Sequence, residues 1–551
     1  MILWCRARAP SGCNIALLGG AAARFSQRFL SMSSQFISPA GDRTDASAFA
    51  EDRSQWKSGA WEAQRVIRGL RSVLPQRLSL RLAVAVMVAL TLWRIITLSF
   101  DSTDLFVDEA QYWLWSRHLA FGYYSKPPMI AWIIRAMAEV TGSNGIFALR
   151  VCGPLFHLGT GLVLIQVSKR LFDRSVAAWT GLTYVTLPGV ALSSVFFSTD
   201  VILLFFLSVA LWAYLVLTEK PSVPVAIVFG LSVGAAFLSK YAILFLLPGA
   251  VVCLVCLPKA RLSWRDLCIA IAVAAVASLP NLWWNLNNQM ITVTHTETIA
   301  HWSDMKLRLL GGLEFFGAQF GVVGPIVFAA LLVALYQAVK EGGDWRTQLL
   351  LLLSIPVIGL ICLQATVAKA YANWAVAAYV AGMPLAVHTL RNAWPQGLRW
   401  SLLLNGTVSV LVALSPVFAH EISAAAGPTV MDRYIGRSEL SSEAARLAQG
   451  LSLKDIVSDD RDILADMFFT LRGEGFGLYS RVGTGAPKSY YDQMFAVPKG
   501  LNEPVLFVSL RSFSCSSGQV LPVATWRPQA GAYRGKTIYA YKADLSCLKA
   551  A

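Results

Sequence analysis

Apolar positions along this chain come in long unbroken runs. Stretches near 80–100, 147–168, 176–197, 199–217, 223–239, 241–257, 267–284, 319–339, 347–367, 374–390 and 400–420 each approach the roughly 17 to 25 residues that cross about 30 Å of hydrocarbon as an α-helix. The pattern predicts about eleven transmembrane helices between residues 80 and 420. Two flanking regions break it. Residues 1–79 are rich in Arg, Ser, Ala and Gly, hold no acid before Asp42 and lack apolar periodicity, which predicts a disordered extension. The same composition would fit a transit segment or a translation start at Met32. Residues 421–551 alternate strand-like runs, VLFVSL at 505–510 and TIYAYKA at 537–543, with a helix-like run, DILADMFFTLRG at 462–473. This predicts a small α/β domain.

Composition agrees with a polytopic membrane protein. Of 551 residues 56% are hydrophobic and 14% charged, with mean hydropathy +0.54, against about a quarter charged in a soluble domain. The net charge of +15 follows from topology. With the N-terminus in the cytoplasm, Lys169, Arg170, Arg174, Lys220, Lys259, Arg261, Arg265, Lys340, Arg346, Arg391 and Arg399 fall on the side where basic loops are favoured. The tail domain then faces the periplasm. No soluble stretch interleaves a basic patch with aromatics, so nucleic-acid binding is not expected. Nine cysteines include one C-x-x-C, Cys253 and Cys256, inside an apolar helix without nearby histidines, which reads as packing rather than metal. Cys515 and Cys547 are the two cysteines of the tail, and a disulfide between them would suit an oxidising compartment.

The chemistry gathers at one surface. DEAQYWLWSRHL, from Asp108 to Leu119, places Asp108, Gln111, Tyr112 and Trp115 on one helical face and reads as an amphipathic helix in the interface, its Trp and Tyr at headgroup depth. An acid there would cap a helix. Lys126 precedes Pro127 and Pro128, and a stiff X-Pro-Pro segment pre-positions that cation. STD at 198–200, SKYA at 239–242, His295, His301 and KAYANW at 369–374 crowd the same side, where ionisable residues would otherwise snorkel.

The DE pair, the Lys126-Pro-Pro, the STD and LPNLWWN at 279–285 resemble the bacterial relatives of dolichyl-phosphate-mannose protein mannosyltransferases. These are membrane glycosyltransferases of the GT-C fold, among them lipid A aminoarabinose transferases and rhizobial lipopolysaccharide galacturonosyltransferases. The resemblance covers about residues 80–420. It implies transfer of a sugar from a polyprenyl-phosphate carrier to a lipid A, lipopolysaccharide or other acceptor, with inversion, at the periplasmic face of the inner membrane; a protein hydroxyl is the alternative acceptor. By position it assigns Asp108 as general base and Glu109 as its helical support, Lys126 and His295 to the donor phosphate, Asp200 to a polar role, and Lys369 and Tyr371 to the phosphate side. Lys240 joins them on its place in the sequence. Many aminoarabinose transferases carry a metal-holding Glu before Lys-Pro-Pro, where this chain has Ser125; a hydroxyl is a poor metal ligand, and no metal or other cofactor is expected. A secondary transporter would place its ionisable residues near the bilayer midplane in paired halves, unlike this one-sided cluster. A non-catalytic assembly protein would tolerate loss of Asp108.

Overall fold

The computed structural model describes residues 78–551 apart from 301–305, 427–428, 482, 484–486, 499, 502, 516–517, 545–546 and 549–551. The N-terminal extension and His301 therefore lie outside the described residues. The helical part opens with α1 (Leu80–Leu98), α2 (Val107–Arg117), α3 (Met129–Thr141) and α4 (Ile146–Leu171). It continues with α5 (Arg174–Thr186), α6 (Pro188–Ser193), α7 (Thr199–Glu219), α8 (Val223–Ser239), α9 (Leu247–Cys256), α10 (Trp264–Asn287), α11 (Ile291–Ala300), α12 (Leu309–Val323) and α13 (Pro325–Glu341). The last helices before the tail are α14 (Trp345–Val367), α15 (Ala378–Ala393) and α16 (Pro395–Leu414).

Among the described residues six helices, α1, α4, α7, α10, α14 and α16, are each long and apolar enough to cross a bilayer; the bent pair α12–α13 would make a seventh. Other expected spans are shorter apolar helices, Val223–Ser239 and Tyr241–Cys256 among them, and prolines divide two of the expected runs. The expected span 176–197 divides at Leu187, because Pro188 opens α6 at its first position, where a missing N–H costs nothing. The expected span 319–339 straddles a 116° bend at Gly324, whose φ of +84° favours glycine, followed by Pro325 as first residue of α13.

Beyond α16 the chain forms a short helix, α17 (Ala419–Ala426), and the α/β unit: α18 (Arg437–Gly450), β1 (Asp455–Ser458), α19 (Arg461–Thr470), β2 (Gly477–Ser480), α20 (Tyr490–Met494), β3 (Val505–Ser509), β4 (Ala524–Trp526) and β5 (Ile538–Ala543). The sheet order is β2-β1-β3-β5-β4. β1 runs parallel to both β2 and β3, while β5 is antiparallel to β3 and β4. All five residues of β3 are buried, as a central strand covered on both faces requires. Cys547 is disulfide-bonded; the side chain of Cys515, its expected partner, lies outside the described residues.

One packing contact positions the site. The two buried faces of α2 join α19 and α20 in a single core containing Tyr112, Trp113, Trp115, Leu464, Phe469, Tyr490 and Tyr491. Trp115, fully buried, stacks on Tyr123 at 4.5 Å, and Trp113 meets Phe469 edge-on at 5.1 Å. The aromatic stripe of α2 therefore does not lie among lipid headgroups as its pattern implied. It is the seam on which the α/β unit docks, each aromatic removing a large apolar area from water. Asp104 reinforces the seam: its carboxylate accepts from the Arg437 and Ser438 N–H groups and the Ser438 hydroxyl, anchoring the first turn of α18 as an acidic cap does.

Candidate active site

Adjacent carboxylates on α2 face different surroundings. Glu109 is buried. Its oxygens accept from the Phe106 N–H (3.1 Å), the Phe197 N–H (2.9 Å) and two nitrogens of Arg150 (2.7 and 3.1 Å). Arg150, also fully buried, binds Asp101 at 2.6 Å and the Asp104 carbonyl. Every lone pair of Glu109 is thus engaged, and it cannot reach a substrate. Glu109, expected beside Asp108 as support for its helix, has a wider structural role: with Arg150 it ties the start of α2 to α4 and to the chain entering α7.

Asp108 points the other way. Its side chain is 46% exposed, and Oδ1 accepts from Arg461 at 2.5 Å. Arg461 is the first residue of α19, delivered by the α/β unit; its Nε donates to Gln111 Oε1 at 3.1 Å, and Gln111 Nε2 donates to Ser125 Oγ at 3.3 Å. Desolvation would raise the Asp108 carboxyl. The charge and hydrogen bond of Arg461, helped by Lys126 and His295, outweigh it and hold the carboxyl below its usual range.

Lys126 sits in the same field. Burial and neighbouring Lys240 push its ammonium down, while Asp108 and Asp200 oppose them. No carboxylate among the described residues comes within ion-pair distance of it. Its loop, 118–128, is held from several sides. The Tyr123 N–H donates to the Lys126 carbonyl, and the Tyr123 hydroxyl bonds the carbonyls of Trp115 and His118. Asn281 donates to the Phe121 carbonyl, and Thr292 to that of Tyr123. Asn281 also accepts from Tyr241, and Asn285 donates to the Tyr241 hydroxyl, so LPNLWWN is a brace for the Lys-Pro-Pro loop. Gly122 lies under the Trp284 ring, where an added Cβ would come within 2.3 Å of a ring carbon.

Asp200, at the start of α7, binds Lys240 at 2.6 Å and accepts from Asn373 at 2.7 Å. Lys240 is therefore ion-paired rather than snorkelling. His295, on α11, packs on Tyr124 at 4.7 Å; burial, with Lys126 and Arg461 nearby, lowers its imidazole to about 4, so it is neutral at pH 7. The hydroxyl of Tyr112 feels Asp108, Arg461 and Asp200 together after burial. Asp108, Lys126, Asp200, Lys240 and His295 thus share one site. Lys369 and Tyr371 stand beside it: the Lys369 ammonium lies 4.7 Å above the Tyr371 ring, both exposed, and their segment reaches the cluster through Asn373. Among the described residues no three His, Cys, Asp or Glu side chains group as metal ligands.

Arg461 and Arg150 escape a reading of the sequence, being brought in by tertiary contacts, and Gln111 and Asn373, though within the runs noted there, gain their partners only from the fold. For Arg461 one local signal exists. A cation at the first position of a helix opposes the macrodipole, and Asp460 already caps that helix, so the arginine serves something outside it.

An apolar groove of about 420 Å³ is lined in part by Met129, Trp132, Phe206, Leu231, Ala235 and Leu238. Neither lysine lines the groove, but Met129, the first residue of α3, comes three residues after Lys126, and Leu238, near the end of α8, two before Lys240, so one end of the groove is close along the chain to both.

Residues 125–284 match the dolichyl-phosphate-mannose-protein mannosyltransferase family. Over 471 residues, 86% of this chain and 100% of the relative, the sequence is 53% identical to the lipid A galacturonosyltransferase RgtD of Rhizobium johnstonii. The chain belongs to this family of GT-C membrane glycosyltransferases. The lipopolysaccharide core galacturonosyltransferase RgtA of the same organism is 30% identical over 287 residues, 47% of this chain and 54% of that one. The fold matches that of ArnT from Cupriavidus metallidurans, solved in the apo state and bound to undecaprenyl phosphate, with a TM-score of 0.59 at 15% identity over 83% of this chain and 97% of that one. The GT-C fold expected from DE and Lys-Pro-Pro is the fold observed, and the chain is a multi-pass membrane glycosyltransferase.

Proposed function

We propose that this enzyme transfers galacturonic acid from a polyprenyl-phosphate carrier to lipid A or a related lipopolysaccharide acceptor, with inversion, at the periplasmic face of the inner membrane. The observation that carries the proposal is the pairing of an accessible carboxylate, Asp108, with a cation free of carboxylates, Lys126, close along the chain to one end of an apolar groove. A polyprenyl chain in the groove brings its phosphate to Lys126, with Lys240 and neutral His295 beside it. An acceptor hydroxyl attacks the anomeric carbon from the opposite face, the bond from that carbon to the phosphate oxygen breaks, and the hydroxyl proton passes to Asp108. Polyprenyl phosphate leaves with its new charge on the lysines, which supply the electrostatic stabilisation that a metal would otherwise give. Arg461 keeps Asp108 ionised, so the base is present throughout the neutral range; transfer occurs as bond formation acidifies the hydroxyl. In this reading residues 80–420 form the catalytic domain, 421–551 the periplasmic domain and 1–79 a cytoplasmic extension.

The test is mass spectrometry of lipid A and core oligosaccharide from a deletion strain against its parent. Loss of one hexuronic acid substituent, restored by the gene but not by its Asp108→Asn form, supports the assignment. An unchanged glycolipid profile refutes it.

A further inference from the structure

Asp108 and Arg461 neutralise one another, yet both keep open surface: 46% of the aspartate and 38% of the arginine side chain. A pair meant only to staple α19 to α2 gains little from staying wet, since exposed ion pairs contribute about 0–1 kcal/mol. The staple is already supplied by the core of Trp113, Trp115, Phe469 and Tyr490. Nor does Arg461 stabilise its own helix, where it stands at the unfavourable end of the dipole.

The orientation of the donor follows from the groove. In the donor pose of the proposed function the isoprenoid would lie along the groove lined by Met129 and Leu238, its phosphate at Lys126 and Lys240, and its sugar toward α2 and the α/β unit. The guanidinium on that far side is Arg461, fixed by Gln111. A galacturonosyl donor carries a second anion beyond its phosphate, the C6 carboxylate. A guanidinium is the cation best shaped to receive a carboxylate through paired N–H groups.

We infer that Arg461 is the residue that selects a uronic acid donor, exchanging Asp108 for the C6 carboxylate of the sugar as the donor binds. This rests on the galacturonosyl reading above and extends it. The exchange frees Asp108 from its ion partner only when the correct sugar is in place, so donor recognition and base availability become one event.

The experiment uses the full-length protein in detergent with two synthetic donors, polyprenyl-phosphate galacturonate and polyprenyl-phosphate galactose, which differ only at C6. The readout is the ratio of their kcat/KM values within one preparation, from which the fraction of folded enzyme cancels. Wild type is expected to favour galacturonate by at least about tenfold and up to ~100-fold, the range for a hydrogen bond to a charged group. Arg461→Gln should bring the ratio close to one, and Arg461→Lys should leave it in between. A ratio unchanged in Arg461→Gln, or a wild type without preference, overturns the inference while leaving glycosyl transfer intact. A wild type that uses neither donor overturns the underlying galacturonosyl reading.

Discussion

The neighbours Asp108 and Glu109 should fail in opposite ways when each is made its neutral isostere. Asp108→Asn removes one member of a half-exposed pair; Arg461 keeps Gln111 and gains water, so the stability cost is at most about 1 kcal/mol. Asparagine cannot take a proton, and loss of general-base catalysis lowers the rate roughly a hundredfold to ten-thousandfold, about 2.7–5.4 kcal/mol in barrier. Glu109→Gln does the reverse. Glutamine keeps one acceptor oxygen where four donors converge and leaves Arg150, completely buried, with Asp101 as its remaining carboxylate; breaking a buried pair on one side costs about 3–5 kcal/mol. The assay is thermal melting and size-exclusion of both variants in one detergent, followed by single-turnover transfer normalised to folded protein. Asp108→Asn should melt within a few degrees of wild type and turn over at least about a hundredfold more slowly. Glu109→Gln should melt far lower or yield little protein, its folded fraction retaining most of its rate. In turnover Glu109→Gln stays the milder change, as the position of its side chain off the Asp108 face implies; in stability its burial makes it the more severe. A soluble, normally melting Glu109→Gln, or an Asp108→Asn with near-parental turnover, refutes the division of roles.

Lys126→Gln should raise the KM for donor by about tenfold or more, by loss of a charge-assisted contact to phosphate, while melting is unchanged or improved since a half-buried cation with no carboxylate at ion-pair distance is removed; an unaltered KM places the phosphate elsewhere. Gly122→Ala should destabilise the Lys-Pro-Pro loop by about 1–3 kcal/mol through overpacking against Trp284, lowering kcat/KM, and a smaller, ringless partner, Trp284→Leu, should relieve it in the double variant. Transfer should persist in excess chelator, and turnover lost in chelator and restored by one divalent ion would reveal ligands beyond those described. His295, with its folded imidazole near 4 against an ordinary 6.5, binds fewer protons folded than unfolded between those values, so its contribution, at most about 3 kcal/mol, grows as pH rises from 4 to 6.5 and is complete above it; His295→Gln should flatten the melting temperature against pH in that window.

Much of this protein is legible in one dimension because lipid imposes one-dimensional rules. Span length, the crowding of charge on one surface and the stiff Lys126-Pro127-Pro128 are local properties, and they pointed to a polytopic membrane protein with its chemistry, Lys240 included, at one face; the GT-C fold and the roles of Asp108, Lys126, Asp200 and His295 came from the resemblance carried by DE, Lys-Pro-Pro, STD and LPNLWWN. The strand-like apolar run at 505–510 and the helix after Asp460 are likewise local, and both are observed. Tertiary structure decided what each charge does. DE at 108–109 presents two identical functional groups, and nothing in their order tells which meets the buried Arg150 and which the half-open Arg461. The aromatics of α2 have the pattern of a headgroup anchor, since lipid interface and protein seam both remove one apolar face from water; only the docked α/β unit distinguishes them. Arg461 lies 353 positions from Asp108, and pairing across that distance is set by how two separately formed cores meet, which no local periodicity records.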